Sequence, residues 1–223
     1  MKSYVALLSL LLLPLLQGCA EKQVQPEEYS GFLYDYSRLT EQENASGNKV
    51  LAWVDPTLNL MNYRSIVIER SQFYPAPKAT EQLSQATMTQ ITDYYDKALR
   101  RELGQVLQVV DKPGPGTLVL RPAITAVSSH TQSLKPYEVI PIALIAAGVS
   151  TAPGIRDQDT QIGTEAAILD GPSSRVVAQV VRKGTGHALE NDTQAMTAGD
   201  FKGVLDGWAR DMRLTYSKLR ELK

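Results

Sequence analysis

Hydrophobic positions along the chain fall into blocks of different period. From Tyr4 to Leu16 the run is apolar and free of charge, preceded by Lys2 and followed by the small residue Gly18. It covers about 13 residues, or about 20 Å as a helix, too short for a hydrocarbon core of about 30 Å. That layout predicts a signal peptide over residues 1–18, not a permanent span. From Ala20 to Lys49 polar positions dominate, the composition of a solvated tether, so residues 19–49 are expected to form one. A patch, YSGFLYDYSRL, interrupts them with Tyr29, Phe32, Leu33, Tyr34, Tyr36 and Leu39. So many large apolar groups predict docking, first on the protein's own domain, alternatively on a partner or the headgroup layer.

Beyond residue 50 the periods of two and 3.6 take turns. The β-branched stretch YRSIVIE, residues 63 to 69, predicts a strand, and SQFYPAPKA a proline-broken loop. Met88, Ile91, Tyr95, Leu99 and Leu103 recur at steps of three and four, one face of a helix over 85–103 that Gly104 should stop. Asp93 with Lys97 and Asp96 with Arg100 are expected to pair along its wet side. Val106 to Asp111 predicts another strand, then a KPGPG turn, then TLVLRPAITAV, where Leu118, Leu120, Ile124 and Ala126 share one face. Pro122 on that face predicts an edge strand or a bulge, because proline cannot donate to a ladder.

QIGTEAAILD and RVVAQVVRKG predict a hairpin around GPSS, and from Asp200 a closing helix aligns Phe201, Val204, Leu205, Trp208, Met212, Leu219 and Leu222. These elements predict an α/β fold: a single two-layer sandwich of a mixed, mostly antiparallel sheet with two main helices, over residues 50–223. Residues 137 to 154 stand apart from this scheme. Their apolar centre, Val139 to Val149, reaches only about 16 Å as a helix. A short buried helix is the plain expectation; membrane contact or an oligomer interface, through Ile142, Leu144 and Ile145, is the functional one.

Composition narrows the function. Cleavage before Cys19 would remove only Lys2 among charged residues, moving the formal net charge from −1 to −2. No basic field is available for phosphates, so nucleic acid is not an expected partner. With one cysteine in 223 residues, an intrachain disulfide and a cysteine-rich zinc site are both excluded.

The context of that cysteine is informative. Leu16-Gln17-Gly18-Cys19 resembles the bacterial lipobox. The resemblance implies a diacylglyceryl group on the Cys19 sulfur and a further acyl chain, palmitate among them, on the new N-terminus. More than one chain anchors stably, whereas a single myristoyl chain holds only reversibly, with K on the order of 10⁴ M⁻¹. By the Gram-negative sorting rule that such lipoproteins resemble, Ala20 after the cysteine implies the outer membrane, with the inner membrane second.

The order of the segments YSGFLYDYSRL, LAWVDPTLNLMNYRSIVIE, VVDKPGPGTLVLRPAIT and TEAAILDGPSSRVVAQVVRKG resembles the proteobacterial lipoprotein family catalogued as a domain of unknown function, number thirty-three thirteen. That resemblance implies an envelope lipoprotein and brings no catalytic residues with it. The layout also looks like small α/β envelope domains such as the curli secretion lipoprotein, a fold analogy that transmits no function.

Chemistry is sparse. His130 and His187 are the only histidines and lie far apart; Ser128-Ser129-His130 reads as a strand end, and Gly184-Thr185-Gly186-His187 as a turn lacking the rest of a dinucleotide loop. Asp157 and Asp159 lack the further oxygen ligands of a calcium loop. Glu165 is expected to face Arg182 diagonally across the hairpin, ordering the sheet. No catalytic residue, metal site or cofactor is expected.

The expected function is therefore a lipid-anchored, non-enzymatic adaptor or assembly factor at the periplasmic face of the outer membrane. Its candidate contact surface is Tyr29, Phe32, Tyr34 and Tyr36 with Ile142, Leu144 and Ile145, offered to an envelope protein or a second copy. A ligand-binding or glycan-processing domain is the alternative.

Overall fold

The computed structural model describes residues 24–131, 158–191 and 193–221. Cys19, Asp157 and the segment carrying Ile142, Leu144 and Ile145 lie outside the described residues, as does the side chain of His130.

Eight strands form one sheet: β1 (Thr40–Glu43), β2 (Lys49–Val54), β3 (Ser65–Ile68), β4 (Gln72–Phe73), β5 (Gln108–Val109), β6 (Thr117–Thr131), β7 (Gln158–Asp170) and β8 (Val176–Thr185). Their order is β1-β2-β8-β7-β6-β3-β5, with β4 continuing beside β6 past the end of β3. The β1 to β6 half is antiparallel, while β3 runs parallel to β5 and β6. Two helices, α1 (Gln85–Leu103) and α2 (Lys202–Glu221), pack on one face. The expected α/β class, mixed sheet and two main helices are present.

The α1 periodicity does what it promised: Met88, Ile91, Tyr95, Leu99 and Leu103 are all buried, and Ser84 caps the first turn by accepting from Thr87 N at 3.0 Å. The acidic residues of α1 behave differently from expectation. Asp93 pairs with Arg70 at 2.7 Å, Asp96 accepts from Ser71 N at 2.9 Å, and Arg100 donates to Ile68 O at 3.0 Å. They bind the chain around the end of β3 instead of one another: Asp96 and Arg100 take a backbone amide and a carbonyl exposed where the strand ends, stronger claimants than a solvated neighbour, and Asp93 takes the Arg70 guanidinium.

Pro122 corrects a second expectation. It sits in the middle of the sheet, opposite Ala166 of β7, not at an edge. Glu69 N donates to Leu120 O and Tyr74 N to Ile124 O, so residues 120, 122 and 124 turn their backbone groups toward β3 and β4. β3 stops opposite Leu120 and β4 starts opposite Ala123, so the nitrogen that cannot donate points into the gap between them. A bulge does occur, at Thr125, and it reverses which face each later residue meets. Val127, not Ala126, therefore reaches the helix-side core, fully buried.

The fold also begins earlier than residue 50. TEQENASGNK forms β1, the turn and the start of β2, and the turn reaches α2: Asn44 Nδ2 donates to Asp211 Oδ2 at 2.7 Å and Ser46 Oγ donates to Asp211 Oδ1. β1 is exposed at every position, which is why its sequence reads as solvated linker.

Candidate functional site

The sheet face away from the helices carries Val119, Ala167, Leu169 and Val181, four apolar side chains that β6, β7 and β8 align by alternation. Open to water, this face would be an exposed apolar strip. The N-terminal arm, residues 24 to 39, lies across it, placing Leu33 in the cluster with Val24, Phe32, Tyr36 and Leu39 packed around it.

Three polar attachments hold the arm. At one end Lys183 pairs with Glu28 at 2.7 Å, both mostly covered. In the middle Glu165, only 1% exposed, accepts from Ser30 N at 3.0 Å through Oε1 and from the Tyr36 hydroxyl at 2.6 Å through Oε2. At the far end buried Gln179 donates from Nε2 to Asp35 O at 3.2 Å. A carboxylate buried among apolar groups is costly unless its oxygens are satisfied, and here the arm supplies both donors.

Tyr36 is the hub of this arrangement. Its hydroxyl donates to Glu165 and accepts from Gly31 N at 2.8 Å and Leu33 N at 3.3 Å, which exhausts its hydrogen-bonding capacity. Its ring stacks on Tyr29 with centroids 4.2 Å apart. Burial, then the bond to Glu165, pushes its ionisation up to about 12. Of the four aromatic residues expected to make contacts, Tyr29, Phe32 and Tyr36 thus turn toward their own domain, Phe32 meeting Tyr74 edge-on at 5.5 Å. Tyr34 does not. It stands 93% exposed on a turn where its own φ is +60° and that of Gly31 is +88°.

The expected Glu165–Arg182 pair is absent. Glu165 is paired in register with Val181, whereas Arg182 lies opposite Thr164, so the two side chains point to opposite faces. Arg182 is buried under α2 and donates to Trp208 O at 2.8 Å. The Gly184-Thr185-Gly186 fragment has a packing role: a Cβ at Gly184 would meet Val204 Cγ2 and Trp208 Cζ2, and one at Gly186 would meet Asp200 O and Thr160 Oγ1. His187 is exposed, with its backbone N–H donated to Asp200 O at 2.8 Å.

Beside the arm, Val24, Glu28, Thr125, Gly163 and Lys183 line a cleft with about 30 Å³ of water-sized free volume, room for a few waters. Among the described residues, no group of three His, Cys, Asp or Glu is placed to hold a metal ion, and no helix is long and apolar enough to cross a membrane. The buried Glu165–Tyr36–Ser30 junction escaped the sequence reading, although Glu165 within the apolar run EAAIL was a signal that a buried carboxylate needed a partner.

A mixed eight-stranded sheet with two helices on one face and a clamped N-terminal arm on the other defines an α/β domain. The family profile described as "Protein of unknown function (DUF3313)" matches residues 28–212, and the chain belongs to that family. The match takes in the arm from Glu28 onward and ends within α2. The chain is 39% identical over 196 residues to the "Uncharacterized lipoprotein YdcL" of Escherichia coli (strain K12), covering 88% of each, and equally to that of strain O157:H7. Among solved structures it resembles the PelC dodecamer from Paraburkholderia phytofirmans, with 10% identity, TM-score 0.39, and 74% and 96% of the two chains covered. It also resembles a minor lipoprotein from Acinetobacter baumannii, with 10% identity, TM-score 0.39, and coverage of 70% and 93%.

Proposed function

We propose that this chain is a lipid-anchored envelope protein, held through Cys19 at the periplasmic face of the outer membrane, where it acts as a non-enzymatic adaptor or assembly factor. The observation that carries this reading is the arm itself: it starts five residues after Cys19 and is fastened to the sheet by Glu28, Ser30 and Tyr36. An anchor joined this way holds the domain close to the bilayer instead of on a long tether.

The lipobox-like sequence before Cys19 and the lipoprotein relatives support the anchoring, and Ala20 supports the outer membrane over the inner. Glu165 was the carboxylate best placed for a ligand pocket, and it uses both oxygens on the arm, which favours the adaptor over a glycan-processing role. Contacts with an envelope protein or a second copy are assigned to Ile142, Leu144 and Ile145, which lie in the chain between β6 and β7.

The test is to crosslink native membranes and compare the wild-type chain with Cys19→Ser. The wild type should sediment with outer membrane and yield defined crosslinked species, while Cys19→Ser becomes soluble. A wild-type N-terminus without acyl groups by mass spectrometry, or no crosslinked species at all, sinks the reading.

A further inference from the structure

The place where the arm meets the sheet constrains which surface can face the membrane. This step rests on lipid attachment at Cys19. We infer that the arm-bearing face of the sheet is turned toward the phospholipid bilayer, with Tyr34 at headgroup depth, and that the outer surfaces of α1 and α2 point away from it.

The first argument is reach. Five Cα steps separate Cys19 from Val24, a span of at most about 18 Å. Val24 is seated on the arm face, over β7 and its neighbours at Gly163, Ala126 and Lys183. At the level of Gly163 the nearer edge is β6, since β4 is paired with it no further than Ile124, and that edge lies about 5 Å from β7. Packed layers lie about 10 Å apart and a helix has a radius of about 5 Å, so the outer surface of α1 or α2 lies about 15 Å beyond the sheet. The two legs, about 20 Å together, exceed the leash. The arm face, by contrast, is where the leash begins, and the attachments at Glu28, Ser30 and Tyr36 stop it from lengthening by peeling.

The second argument is Tyr34. It occupies a left-handed backbone conformation that disfavours residues with a Cβ, on a turn fixed by Tyr34 N to Gly31 O and by both backbone donors to Tyr36. The result is a single ring held away from a face whose other aromatic rings are folded inward. A tyrosine combines an apolar body with a polar tip and is favoured where hydrocarbon meets water. An arm face turned toward lipid gives that ring its medium.

The experiment uses the full chain, acylated and reconstituted into vesicles of phosphatidylethanolamine and phosphatidylglycerol. Once Cys19 carries lipid, an introduced cysteine is the only free thiol. A fluorophore is placed at Tyr34→Cys or Ser37→Cys on the arm, and at Gln90→Cys or Lys97→Cys on the exposed side of α1. Headgroup-linked nitroxide lipid should quench both arm positions several-fold more than both helix positions. Equal quenching, or stronger quenching on α1, overturns the orientation. Mass spectrometry of the same samples reads acylation of Cys19 separately, so a failed anchor is distinguished from a wrong orientation. Two positions on each face keep the result independent of any one variant that folds poorly.

Discussion

At the scale of single residues, Tyr36 and Glu165 carry the attachment of the arm. Replacing Tyr36 by Phe leaves Gly31 N, Leu33 N and a Glu165 oxygen without their partner, which should cost about 1–3 kcal/mol in denaturant unfolding. The same hydroxyl makes a pH prediction. Its ionisation lies above the ordinary value of 10.0, at about 12, so the folded state holds the phenolic proton more tightly than the unfolded one. Stability from this group is complete below pH 10 and is lost as pH rises through about 12. Phenolate absorbance and proteolytic release of the arm should follow that window in the wild type, and the proteolytic release should lose it in Tyr36→Phe. Tyr34 should behave in the opposite sense: Tyr34→Gly relieves a positive φ and should leave stability within about 1 kcal/mol. Neither residue's role was legible beforehand. Six large apolar groups signalled docking, but which of them turned inward depended on a turn geometry that composition does not encode.

At the scale of elements, alternation and helical period were readable wherever one face of an element is wet. α1 and the stripe of α2 emerged on those grounds, whereas the β7–β8 hairpin, with β7 covered on both faces, showed as two apolar runs around the GPSS turn. β1 was missed because a fully exposed edge strand has no alternation, and β4 because two residues are too few to show any, whereas β5 lies inside the strand predicted over Val106 to Asp111. Pro122 was read as the sign of an edge or a bulge because a missing donor is usually tolerated there; the bulge falls three residues on, at Thr125, and the interrupted neighbour, β3 then β4, made a central position equally harmless. Pro122→Ala should accordingly change stability by less than about 1 kcal/mol. Ile124→Ala, two residues on and fully buried, should cost about 2–5 kcal/mol. Gly184→Ala forces a methyl against Trp208 Cζ2, 3.1 Å away, and against Val204, and should cost about 1–3 kcal/mol in thermal or chemical unfolding.

At the scale of the molecule, the arm makes a two-layer sandwich into one with a thin third cover. Deleting residues 24–39 should expose Val119, Ala167, Leu169 and Val181, and the truncated chain should bind apolar dyes and aggregate while the wild type does neither. A truncated chain as stable and as soluble as the wild type would show that the cover is dispensable.

The chain's own residues determined the α/β class, the two helices and the long hairpin: each helix has one wet and one dry side and so writes its period into the sequence, and the hairpin shows as two apolar runs around a GPSS turn. They also placed the one cysteine behind a short apolar leader. Only the tertiary structure decided that Glu165 and Arg182 face opposite ways, that Pro122 lies centrally, and that the polar residues 40–43 pair with β2 as an edge strand. Each of these depends on strand register and on which segment lies against which, and a shift of one residue would reverse every face. Register is settled by long-range packing across the whole sheet, so it has no signature within any one segment of the chain.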